Sequence, residues 1–220
     1  MRDWRYYLSI PQYQIRSAAR YVGSSLMPEG RVRYWLKLRR KAAGQEYGPL
    51  LTYLELMEVS VVAGFKEAGL PLRKIRAAHD YLSQLLRTPY PFAAQQLKTE
   101  GTHIIAEMPE SKRLETGLGQ LLIADKRGQI AWEAVILGRY AQFVYETEIA
   151  FPVRWYPRGQ NVPVVIDPRI HFGQPTIDDI PTWAIADRVR AGEDLQFVAD
   201  DYELSVEKVR IALEFEEVAA

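Results

Sequence analysis

The sequence contains no cysteine. A disulfide framework, a thiolate zinc site and a cysteine nucleophile are therefore excluded. No apolar run approaches the roughly 20 residues that a membrane-spanning helix needs. The opening Met1-Arg2-Asp3-Trp4-Arg5-Tyr6-Tyr7 lacks a signal-peptide core, so a cytoplasmic protein without a membrane partner is expected. Histidine is scarce: His79, His103 and His171 have no second histidine at i+3 or i+4 and form no His-Glu-x-x-His pattern, so no metal site is expected. There is no Walker A loop, dinucleotide fingerprint or nucleophile elbow, and no cofactor is implied. Net charge is absent too, with 28 basic and 28 acidic side chains, and 48% of residues are apolar, which together exclude a disordered chain. At 220 residues the chain has room for one or two domains, or three small ones.

The zero balance conceals a polarity. Residues 1–41 carry ten basic groups against Asp3 and Glu29, a balance of +8. Residues 178–220 carry twelve acidic groups against Arg188, Arg190, Lys208 and Arg210, a balance of −8. One end attracts polyanions and the other repels them.

Local signals place most of the helices. Residues 15–22 read as a short helix closed by Gly23. Pro28 opens a second helix running to about Arg40, with Val32, Trp35 and Leu36 facing inward and Arg31, Arg33, Lys37 and Arg40 pointing outward. Residues 42–51 read as a loop or short β-wing. Thr52-x-x-Glu55 is a capping box that starts a third helix, with an apolar stripe of Leu54, Met57, Val61, Phe65 and Ala68. Leu72, Ile75, His79, Leu82 and Leu86 step along a fourth, whose stripe is either a dimer seam or part of its own core. His79 reads as a core histidine with one satisfied hydrogen bond. Beyond residue 90 the pattern changes. Residues 102–108 and 120–124 read as β-like runs, 125–128 as a turn, 131–147 as a helix, and 151–155 and 162–166 as strands. The tail reads as three short helices, from Pro181 to Ala191, from Leu195 to Tyr202, and after an N-cap at Ser205.

Two stretches resemble known families. Ile15-Arg16-Ser17-Ala18-Ala19-Arg20-Tyr21-Val22-Gly23, followed by Arg31-Val32-Arg33-Tyr34-Trp35, resembles the MerR-type helix-turn-helix. Arg33-Tyr34-Trp35 stands where that family has an Arg-Tyr-Tyr element that packs and grips DNA phosphates. Residues 51–56 and 68–76 resemble the two helices after its wing. The turn before Arg31 is longer than in the family, and the wing Tyr-Arg pair is reduced to Tyr47-Gly48. Val165-Ile166-Asp167-Pro168-Arg169-Ile170-His171-Phe172-Gly173-Gln174-Pro175-Thr176-Ile177 resembles the opening of the domain family of unknown function numbered 433. Residues 191–194 and 200–213 continue that likeness. The two ends, with Pro91-Phe92 and Gly128-Gln129 between them, resemble VapB-type antitoxins of the larger, two-ended kind.

These readings imply a mainly α fold with small β elements. It comprises a MerR-like winged helix-turn-helix at 1–90, an α+β middle at 91–165, and an acidic three-helix, HTH-like domain at 166–220. The resemblance implies a non-enzymatic antitoxin of a type II toxin–antitoxin system that neutralises a PIN-domain (VapC-type) ribonuclease and represses its own operon. A homodimer is expected from the symmetry of palindromic operators. Arg16, Arg20, Arg31, Arg33, Tyr34, Lys37 and Arg40 are the candidate contacts to operator DNA, because phosphates call for cationic forks. Asp200, Asp201, Glu207, Arg210 and Glu214 are the candidate toxin contacts, since a ribonuclease presents a basic rim to an acidic module. Two other readings stand beside this one. A small-molecule-responsive MerR-like regulator would use the aromatic-rich middle as a pocket. A nucleic-acid-processing enzyme would use the carboxylates of Asp178-Asp179 and Asp200-Asp201, although adjacent residues diverge and rarely meet on one substrate atom.

Overall fold

The computed structural model describes residues 4–42, 44, 48–122 and 132–217. The fold is mainly α with small β elements. It divides into two compact units, the larger formed by Leu8–Ala141 and Tyr145–Pro152 and the smaller by Met1–Tyr7, Gln142–Val144 and Val153–Ala220. The expected boundary near residue 90 thus falls inside the larger unit, and residues 4–7 group with the C-terminal elements.

The larger unit opens with β1 (Tyr13–Gln14), α1 (Ile15–Val22) and α2 (Glu29–Ala42). The short strand β2 (Leu50–Leu51) pairs antiparallel with β1, in the register Tyr13↔Leu51 and Gln14↔Leu50. The wing-like strand is therefore held to the start of α1. Tyr47 and its neighbours lie outside the described residues. The helix α3 (Tyr53–Glu67) begins at the capping box: the Thr52 side chain accepts from the Glu55 backbone, and the Glu55 side chain accepts from the Thr52 backbone. Every side chain from Tyr53 to Phe65 is buried, so the expected one-sided stripe is corrected to a central helix covered all round. Helix α4 (Leu72–Leu85) turns Ile75, Ala78, His79 and Leu82 into the interior.

Helices α5 (Gln95–Glu107) and α6 (Glu110–Thr116) follow. Residues 102–107 are therefore helical rather than β-like, and the run from 120 enters a 3-10 turn, Leu118–Leu122. The expected turn at 125–128 and the Gly128-Gln129 pair lie outside the described residues. A π-helical turn, Trp132–Ile136, leads into α7 (Leu137–Tyr140), so the expected long helix stops early. The aromatic centre of the unit is Phe92. Its ring stacks on Trp35 at 6.2 Å and meets Phe65 edge-on at 4.8 Å and His79 at 5.0 Å.

The smaller unit carries all but the last residue of β3 (Phe143–Tyr145), all but the first residue of β4 (Pro152–Trp155), and the whole of β5 (Val165–Ile166), β6 (Pro175–Ile177) and β7 (Ile180–Pro181). They form one sheet in chain order, antiparallel from β4 onward. Asp178 and Asp179 connect β6 to β7 with φ of 47° and 65°. A two-residue hairpin with both φ positive suits Asp, whose side chain tolerates the left-handed region. Helices α8 (Thr182–Arg190), α9 (Leu195–Asp201) and α10 (Val206–Phe215) close the unit. Asp194 caps α9 and Ser205 caps α10 through their side-chain oxygens. The core joins Trp155, Ile166 and Ile177 of the sheet with Ile185, Val198 and Leu213 of the helices.

Candidate nucleic-acid interface and acidic face

The seven candidate DNA contacts separate by burial. Helices α1 and α2 pack on each other. Ile15, Ala18 and Ala19 are buried from α1, and Val32, Trp35 and Leu36 from α2. Arg16, Arg33, Tyr34 and Lys37 are exposed. Tyr34 is 54% exposed, which rules out a core role for a large aromatic on a helix. Arg31 is half-buried, and its guanidinium donates to the Leu26 carbonyl inside the inter-helix turn. Arg20 is half-buried, with its guanidinium 5.3 Å from the centre of the Tyr21 ring.

Arg40 is a correction, because it points inward. Its Nε donates to Glu55 Oε1 at 2.8 Å and its Nη2 to Glu55 Oε2 at 2.7 Å. The same fork donates to the carbonyls of Gly48 and Leu50, each at 2.6 Å. Arg40 therefore ties the end of α2 to β2 and to the capping box of α3. The sequence pattern missed this because Arg40 lies beside exposed basic neighbours. The signal lay in Glu55, whose side chain serves both Arg40 and the Thr52 backbone.

A second buried network lies beneath α2. Glu58 Oε1 accepts from the backbone N–H groups of Phe92 at 2.7 Å and Ala93 at 3.1 Å. Its Oε2 lies 2.7 Å from His79 Nε2, and His79 Nδ1 lies 3.1 Å from Ser83 Oγ. The ring is thus held between the Glu58 carboxylate and Ser83, and shares a hydrogen bond with the Ser83 hydroxyl. Arg39 reaches out of α2 to Asp80 of α4 at 2.8 Å. Burial lowers the Arg39 pKa, while Glu58 and Asp80 act to raise it.

At the other end, Asp200, Asp201, Glu207, Arg210 and Glu214 are all exposed. Residues 207, 210 and 214 fall at i, i+3 and i+7, which places them on one stripe of α10. Asp200 accepts from Gln196 at 2.7 Å, and Asp201 pairs with Arg188. Arg188 also grips Glu193 through two bonds from Nε at 3.0 Å and lies over the rings of Phe197 and Tyr202. These bonds from Arg188 hold the Glu193 carboxyl below the usual range. Asp178 pairs with Lys208, so it is engaged structurally. Among the described residues no group of three or more His, Asp or Glu side chains could hold a metal ion. No helix among them is long and apolar enough to cross a membrane.

Comparison with known proteins follows the same division. Residues 164–215 match the profile of a family described as a protein of unknown function, DUF433. Over 227 aligned residues the chain is 24% identical to "Putative antitoxin VapB45" of Mycobacterium tuberculosis (strain ATCC 25618 / H37Rv), covering 93% of each protein. The crystal structure of Rv2018 from Mycobacterium tuberculosis has the same fold, with a TM-score of 0.73 at 23% identity, over 94% of this chain and 98% of that one. The C-terminal unit thus carries the sequence pattern of the DUF433 family, and nearly the whole chain is similar to a protein named as an antitoxin.

Proposed function

We propose that this protein is a non-enzymatic antitoxin with two working surfaces. The exposed basic face of α1 and α2 binds operator DNA, and the acidic α8–α10 end binds and blocks a PIN-domain ribonuclease. As a cytoplasmic homodimer on a palindromic site, it represses its own operon. The observation that carries the antitoxin reading is the likeness to the VapB45 protein along 93% of both chains. The segregation of exposed charge supports the division of labour: Arg16, Arg33 and Lys37 near the N-terminus, and Asp200, Glu207 and Glu214 near the C-terminus. Cationic side chains on a helix exchange with the counterions of a duplex, whereas a −8 module meets phosphate repulsion at every approach.

The test is retardation of promoter DNA across a salt series. The Arg33→Ala/Lys37→Ala double variant should bind more weakly at every salt concentration. Its logarithmic salt slope should be shallower by about two for each protomer, about four for the dimer on its palindrome, because each removed cation leaves one phosphate with its counterions. An unchanged slope and affinity would place the DNA surface elsewhere.

A further inference from the structure

The groove between α4 and α6 belongs to neither surface described above. Arg73, Arg76 and Asp80, spaced by three and four on α4, form one wall with Tyr81, and Lys112 and Glu115 of α6 form the other. Its volume is about 470 Å³, within the range that small-molecule sites occupy.

The ion pairs inside it leave two guanidinium groups available. Asp80 is held by Arg39 at 2.8 Å, and Arg76 stands off at 3.8 Å from the other Asp80 oxygen. Lys112 pairs with Glu115 at 2.7 Å. Arg73 is exposed and forms no ion pair among the described residues. Arg73 and Arg76 sit three residues apart, so their side chains project from adjacent turns of one helix face. Paired guanidinium forks match the oxygens of a phosphate dianion, each offering two parallel N–H bonds. The carboxylates of Asp80 and Glu115 make the lining mixed in charge. A duplex backbone would meet both of them, whereas a discrete phosphate seated on Arg73 and Arg76 avoids them.

We propose that this groove binds a phosphorylated small molecule. Arg73 and Arg76 clamp the phosphate, and the organic part lies along the groove beside Tyr81. Binding draws Arg76 from Asp80 toward the phosphate and leaves Asp80 to Arg39, so occupancy is felt at α2. The site stands on its own residues and does not depend on the antitoxin reading.

The experiment is calorimetric titration of the full-length protein with phenyl phosphate and with inorganic phosphate at constant ionic strength. Saturable binding is expected, with phenyl phosphate at least about tenfold tighter than inorganic phosphate, a difference of roughly 1.4 kcal/mol. Arg73→Gln/Arg76→Gln should weaken phenyl phosphate at least about tenfold, the same 1.4 kcal/mol, with an unchanged thermal midpoint. Arg33→Ala/Lys37→Ala should leave it unaltered. Lys112→Gln, which leaves the Glu115 carboxylate of the opposite wall without its cation, supplies a second variant that should also weaken binding of the anion. Absence of saturable binding, or binding that survives Arg73→Gln/Arg76→Gln, overturns the proposal. Loss of duplex DNA retardation in that variant without any phenyl phosphate binding to the parent protein also overturns it and assigns the groove to nucleic acid.

Discussion

Single side chains decide how much of the basic end is open to a ligand. Arg40 differs from Arg33 in what its truncation exposes. Arg33→Ala removes a solvated cation, whereas Arg40→Ala leaves the buried Glu55 carboxylate and the carbonyls of Gly48 and Leu50 without their donor. Breaking one side of a buried ion pair costs about 3–5 kcal/mol, against about 1 kcal/mol for loss of the Thr52 cap in Thr52→Ala. Denaturant unfolding should therefore rank Arg40→Ala well below Thr52→Ala, with Arg33→Ala near the parent. A second residue-scale effect lies in the smaller unit. Asp167 is buried and accepts bonds from Arg169 and Arg154. Burial acts to raise its pKa, but the bonds from Arg169 and Arg154 prevail, and the carboxyl titrates below its ordinary value. A depressed carboxyl stabilises the fold above the unfolded value of about 3.9, and that stabilisation is lost as pH falls through the folded value. Thermal unfolding between neutral and strongly acid pH should show this loss in the parent. Asp167→Asn should be less stable at neutral pH and less sensitive to acid.

At the scale of elements, legibility followed the local signals. The capping box at Thr52 and the N-cap at Ser205 are readable in sequence because each cap joins residues within four positions of one another. Helix α5 is not readable in that way. Its buried positions are Leu97, Gly101 and Ile105, so a glycine occupies the middle of the inward face and interrupts the apolar rhythm. The β-branched Thr102, Ile104 and Ile105 then favour a strand by local preference, and tertiary packing overrides it. Gly101 is small for a reason that only the fold reveals. A Cβ built there would stand 2.0 Å from the ring of the buried Trp132. Gly101→Ala would gain up to about 1 kcal/mol of helix propensity in isolation. In the protein the rigid indole must move, and overpacking of this kind costs about 1–3 kcal/mol. A net loss of stability is expected, with a change in tryptophan fluorescence as Trp132 shifts. A variant as stable as the parent would mean that α5 and the π-helical turn accommodate each other freely. The Pro-rich run before Phe92 misleads in a related way. Pro89 and Pro91 look like punctuation between domains, yet Phe92 is buried against Trp35, Phe65 and His79, and its N–H is bonded to Glu58.

For the whole molecule, the charge polarity was legible from counting alone, because exposed charge needs no partner to be placed. Which charges remain exposed was not legible, since Arg40 and Arg188 are each committed to carboxylates of their own unit. That distinction governs how the acidic end should be tested. Deleting residues 166–220 would remove Ile166 of β5 together with β6 and β7 and expose the face on which Trp155 is buried, so a loss of partner binding could reflect unfolding. Reversal of exposed charges avoids that problem. Asp200, Glu207 and Glu214 are exposed, and none of the three pairs with a cation among the described residues. Asp200→Lys/Glu207→Lys/Glu214→Lys should leave the thermal midpoint close to that of the parent, as surface substitutions usually do. The variant should lose neutralisation of the co-expressed ribonuclease, and the association rate should fall most at low salt, where steering acts furthest. Its retardation of promoter DNA should persist. Full neutralisation by the triple variant would place the protein-binding surface away from α9 and α10, whereas loss of DNA retardation alone would reverse the assignment of the two ends.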